Sequence, residues 1–170
     1  MDGLLFVALA RAVERRMHEF NAQNLANTAW AFATLGQLHA LLFAALARAA
    51  QRRMHMFNAQ ALANTAWAFA KLGRLDALLF AALARAAEQR MHDFNAQQIP
   101  STAWAFATLG QLDALLFVAL ARAAERRVHE FNAQALSNTA WALATLGQLD
   151  ALLFGALARA AERRMHEFNA

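Results

Sequence analysis

The tetrapeptide Phe-Asn-Ala-Gln begins at Phe20, Phe57, Phe94 and Phe131, 37 residues apart each time, and a truncated Phe-Asn-Ala begins at Phe168. The tryptophans (Trp30, Trp67, Trp104, Trp141) and four glycines (Gly36, Gly73, Gly110, Gly147) keep the same period. Self-similarity at a fixed interval of this length is the mark of a stacked-repeat protein. The chain of 1–170 therefore divides into four full repeats, 20–56, 57–93, 94–130 and 131–167. Residues 1–19 form the second half of another repeat, and 168–170 open a further copy.

Each repeat spells two helices. The first follows an Asn suited to capping, as Asn21 is, and ends at a Gly such as Gly36, where a left-handed backbone can close the last turn. The second opens near Asp76, Asp113 or Asp150, with His39 as the exception, and runs toward the next Phe-Asn-Ala-Gln. Alanine, leucine and arginine dominate it, all strong helix formers. Asp early and Arg late suit the helix dipole. Two antiparallel helices cannot bury their apolar faces alone, whereas stacked copies can. The expected fold is all-α, an α-solenoid of antiparallel helix pairs of the right-handed-superhelix type. Pro100, about five residues into the first helix of its repeat, removes a backbone donor, so that helix is expected to start late or fray.

The stack explains a composition of 59% hydrophobic residues, since a thin core recurs along an axis. With no cysteine there is no disulfide framework, cysteine–zinc site or catalytic thiol, and one proline with six glycines leaves little for β turns. Arginines or Asn–Gln clusters interrupt every apolar stretch before it could span a bilayer. Asp2 in place of a basic start, and Arg11, Arg15 and Arg16 after it, are not the pattern expected of a secretory signal. Neither end carries a polar capping repeat, so both terminal faces are expected to be apolar and to take a partner or further repeats.

Helical phase separates the faces of the first helix. Leu25, Ala29, Phe32 and Ala33 follow a buried stripe, with Trp30 on its flank, where a neighbouring repeat would cover it. The opposite stripe is Asn24, Asn27, Ala31 and Thr34. Its copies are Ala61, Asn64, Ala68 and Lys71, then Gln98, Ser101, Ala105 and Thr108, then Ala135, Asn138, Ala142 and Thr145. Three of these four positions vary between otherwise near-identical copies. Side chains of this kind hydrogen-bond base edges or peptide backbone, although exposed positions also drift where nothing constrains them.

The net charge of +4 is not spread evenly. Residues 1–19 and the two repeats after 93 are balanced, and the whole excess lies in 20–93, where Lys71 and Arg74 add to the recurring arginines. Arg11, Arg48, Arg85, Arg122 and Arg159 recur in register beside interleaved acids, which describes a solvated ridge more than a phosphate-binding ladder. His18, His55, His92, His129 and His166 fall one per repeat. Stacking would space them about 10 Å apart, too far to share a metal, and places them at helix ends. Every potentially catalytic residue type is copied along the chain, the opposite of one assembled active site. The expectation is a non-enzyme with no cofactor and no metal.

The run from Phe20 to Gly36, with Gln23, Leu25-Ala26-Asn27, Trp30-Ala31 and Leu35-Gly36, resembles the first-helix signature of octotricopeptide repeat proteins. It is also similar to that of their close relatives, the heptatricopeptide repeat proteins, whose variety the 37-residue period resembles, and both groups often accompany a RAP domain. The resemblance covers the whole chain. It implies an α-solenoid of plastids or mitochondria that binds organellar RNA through its first helices. It also implies RNA contact at the stripe of Asn24, Asn27 and Thr34, with the copies Ala61, Asn64, Lys71, Gln98, Ser101, Thr108, Asn138 and Thr145; the charge excess of 20–93 adds Arg74 as a candidate. At one base per repeat, four repeats would read about four nucleotides. The competing expectation is a scaffolding subunit of a large organellar complex, such as a ribosome or photosynthetic assembly, working through its ends and apolar surface.

Overall fold

The computed structural model describes residues 3–145, together with Gly155 and Ala158. Expectations at Gly147, Asp150, Arg159, His166 and the start of a further copy at Phe168 lie outside the described residues. The described chain is all-helical: α1 (Gly3–Arg16), α2 (Ala22–Thr34), α3 (Ala40–Arg52), α4 (Ala59–Lys71), α5 (Ala77–Gln89), α6 (Gln98–Thr108), α7 (Ala114–Arg127) and α8 (Ala133–Thr145). A single 3-10 turn follows each of α1, α3, α5 and α7. The even-numbered first helices pack along one another in order, and the odd-numbered second helices form a parallel, less closely packed row. This is an α-solenoid of helix pairs.

The punctuation is made by the residues that the repeat keeps. Asn21 Oδ1 accepts from the Asn24 N–H at 2.8 Å, and Asn58 and Asn132 cap Ala61 and Ala135 at the same distance. The first helices close in a left-handed glycine, with φ of 64° at Gly36, 62° at Gly73 and 64° at Gly110. Around Gly36, the Gln37 N–H donates to Phe32 O at 2.8 Å and the Gly36 N–H to Ala33 O at 3.1 Å, a Schellman closure. Asp76 and Asp113 cap the second helices through Leu79 N–H at 2.9 Å and Leu116 N–H at 3.0 Å. His39 performs the same task, its Nδ1 accepting from Leu42 N–H at 3.2 Å.

The core is one continuous strip of Phe, Leu and Ala. Each second-helix Phe meets the Phe of the next first helix edge-on: Phe6 with Phe32 at 5.7 Å, Phe43 with Phe69 at 5.1 Å, and Phe80 with Phe106 at 4.9 Å. Repeats are thus coupled through aromatic edges as well as through buried area. At the corresponding place in α8, Leu143 stands instead. Among the described residues no helix is long and apolar enough to cross a membrane.

Pro100 has the effect its position implies. The other first helices of full repeats begin one residue after their Asn, but α6 begins only at Gln98, three after Asn95. The residue before it, Gln97, is already in a right-handed helical conformation and makes no side-chain cap. Asn95 Oδ1 instead accepts from both Gln97 and Gln98 N–H groups at 3.0 Å. The proline ring occupies the third helical position, where a missing N–H costs little.

Candidate nucleic-acid interface

The polar stripe expected on the first helices is only partly a surface. In α2, which has no first helix before it among the described residues, Asn24, Asn27, Ala31 and Thr34 are all exposed. In the interior helices the alanines of the stripe are closed off. Ala61 is 5% exposed and Ala68, Ala105 and Ala142 are fully buried, because this side of each first helix lies against the first helix before it. Ala61 therefore does not stand at the surface its phase implied. The alanine common to 31, 68, 105 and 142 was the available signal, since a small side chain lets two helices approach closely.

Two further positions are engaged elsewhere. The Asn24 side chain closes a capping box, its Oδ1 accepting the Asn21 N–H at 3.1 Å. Gln98 Oε1 accepts the Asn95 N–H at 3.0 Å. Both side chains serve the helix start before they can serve a ligand.

The accessible line is rotated by part of a turn from the expected one. It runs Gln60, Asn64, Trp67, Lys71 on α4, then Gln97, Ser101, Trp104, Thr108 and Gln134, Asn138, Trp141, Thr145, each residue exposed or half-buried. Gln23, Asn27, Trp30 and Thr34 begin it on α2. Asn27, Asn64, Ser101, Asn138, Lys71, Thr34, Thr108 and Thr145 are thus placed where phase put them, and the glutamines and tryptophans were missed. Trp30 is 45% exposed although α4 packs beside α2, so the next repeat does not cover it as expected. Its indole lies 6.5 Å from that of Trp67, with the planes tilted by 34°.

Hydrogen bonding along this line is sparse. Thr34 Oγ1 donates to Trp30 O at 2.8 Å. Among the described residues, the side chains of Asn27, Asn64, Ser101 and Asn138, the four indole N–H groups, and the Lys71 ammonium have no protein partner. Such groups keep their hydrogen-bonding capacity for water or a ligand. Arg74, just past Gly73, is half-buried and its guanidinium is likewise unpaired.

Two grooves gather some of these positions. One of about 580 Å3 lies between α1 and α2 and takes in Asn24 and Asn27 beside Leu9, Phe20 and Ala31. At its rim the Arg16 guanidinium hydrogen-bonds Glu19 and holds that carboxyl below the usual carboxylate range. The other, of about 660 Å3, crosses α4, α6 and α8 and brings Lys71, Ser101 and Asn138 together with Trp67 and Trp104. Asn64, Arg74, Thr34, Thr108 and Thr145 line neither groove.

The histidines of the repeat sit in the 3-10 turns after the second helices, as their helix-end placement implied, and are exposed. The arginines beside them behave in two ways. Arg53 donates to the carbonyls of Met17 and His18 at 3.2 and 3.1 Å, and Arg90 to that of His55 at 2.8 Å, each bridging to the preceding repeat. Arg127 instead pairs with Glu130 within its own repeat at 3.0 Å.

Residues 2–170 match the family described as RNA-editing substrate-binding complex 6 protein, rather than the octotricopeptide or heptatricopeptide repeat proteins that the motif resembles. No curated protein matches the sequence.

Proposed function

The chain belongs to the RNA-editing substrate-binding complex 6 protein family, and on that premise we propose that it is a non-catalytic subunit which meets single-stranded RNA along its first helices. The observation that carries this function is the line of unpartnered Asn, Ser, Lys and Trp side chains repeated across α2, α4, α6 and α8. Single-stranded RNA offers splayed bases whose faces stack on aromatic rings and whose edges bond amides and hydroxyls. Lys71 and Arg74 supply the positive charge at the centre of the line. An organellar setting, implied by the repeat resemblance, belongs to the same proposal; the family match lends no support to a plastid.

A binding titration with single-stranded RNA at increasing salt tests it. Affinity should fall steeply with salt, and Lys71→Ala with Arg74→Ala should reduce the slope of log K against log salt by about 1 to 1.5. Absence of binding at low salt would sink the proposal.

A scaffolding role through protein contacts is favoured by a different observation. Leu41, Leu78 and Leu115 open successive second helices and are 71, 73 and 66% exposed, forming an apolar row on the other side of the stack. If that row holds protein subunits, changing the three leucines to Ser should release the chain from its complex while leaving RNA affinity intact.

A further inference from the structure

The near-copies differ at one place where the difference has a shape. Among the described first helices of full repeats, only α6 starts late, and the residues set back by that start, Ala96 and Gln97, form one wall of the groove across α4, α6 and α8. Pro100 lines it too. A volume of about 660 Å3 falls within the usual range of small-ligand pockets.

Its chemistry is that of a nucleotide site. Trp67 and Trp104 give it two half-buried indole surfaces, and among the described residues Trp104 is in no ring pair, which leaves the exposed part of its ring for a base. Ser101 and Asn138 present a hydroxyl and an amide with no protein partner, and Gln97 and Gln134 add amides that are equally free. Lys71 brings an ammonium that is in no ion pair. Glu130 is the groove's one carboxylate, and Arg127 already neutralises it.

We propose that this groove is the principal nucleotide-binding site of the chain, in which a base of single-stranded RNA stacks on Trp104 while Lys71 holds its phosphate. Gln97, Ser101, Gln134 and Asn138 bond the base edge. RNA is then anchored in one repeat and passes the other tryptophans with weaker contact. The site rests on the RNA function proposed above, and narrows it from a ladder of equivalent contacts to one privileged position created by Pro100.

The test is quenching of tryptophan emission in the full chain by short oligouridylate and oligoadenylate at low salt, with helicity followed by circular dichroism. Trp104→Leu should weaken binding about tenfold, the loss of one stacked base. Trp30→Leu, outside the groove on the same line, should weaken it less than Trp104→Leu does. Ser101→Leu, which fills the groove while keeping both indoles, should also weaken binding, as should Pro100→Ala, which lets α6 start at its regular place. Equal losses in Trp30→Leu and Trp104→Leu, or an unchanged affinity in Ser101→Leu with helicity preserved, would overturn the privileged site and leave the RNA function standing. No binding by the unmodified chain would remove both.

Discussion

At Gly73 the backbone sits at φ of 62° with open space around the position a Cβ would take. The price of a side chain there is conformational alone, since nothing stands in its way. Gly73→Ala should cost about 1 to 2 kcal/mol. Chemical denaturation reads this directly, as a lower midpoint with an unchanged slope. A second single-residue choice lies at the end of each 3-10 turn, where Glu19, Met56, Asp93 and Glu130 stand at equivalent positions. A Glu is long enough to capture the arginine three residues earlier, as in Arg16–Glu19 and Arg127–Glu130. Met56 has no charge to offer and Asp93 is shorter, and there the arginine crosses to the preceding repeat. Glu130→Met should therefore free Arg127 to reach toward the His92 carbonyl. The net gain should be below about 1 kcal/mol, because the groups involved are solvated. A small rise in the denaturation midpoint would record it.

The helices show which signals act locally. An N-cap, a glycine closure or a proline near a helix start is decided within four or five residues, so Asn21, Gly36, Asp113 and Pro100 were legible from their neighbours in sequence. Asp113→Ala should cost about 1 kcal/mol of stability, because Leu116 N–H loses its acceptor. His39→Ala should cost no more than that, the imidazole making a longer bond of 3.2 Å to the Leu42 N–H. Thermal melting of the two variants side by side compares the caps. Which side of a first helix meets its neighbour is decided a full repeat away, and helical phase within one helix gives no access to it. That is why phase alone sets Ala61 at the surface and Trp30 under a neighbouring repeat, where the structure has the reverse. Asn24 and Gln98 stand exposed and half-buried, and their amides already serve the helix start. An exposed amide near a helix start has a local use that competes with any ligand. The joint between elements is set by aromatic edges, and Phe80→Ala should cost about 3 to 5 kcal/mol by opening a cavity between α5 and α6.

In the whole molecule, stability is built from nearest-neighbour interfaces, so damage at one joint is felt mainly there. Hydrogen exchange on Phe80→Ala should accordingly show protection lost first in α5 and α6, with α2 and α3 still slow. The guanidinium bridges add a mechanical consequence. Between repeats 20–56 and 57–93, and between 20–56 and the helix before it, Arg90 and Arg53 tie adjacent units together. Between 57–93 and 94–130 the equivalent arginine is held by Glu130 within its own unit. Among the described residues, the stack is thus stitched by guanidinium bridges at two joints and not at the third. That third joint lies between α4 and α6, which carry the groove of Lys71 and Trp104, so a strand bound there would cross a seam that no guanidinium stitches.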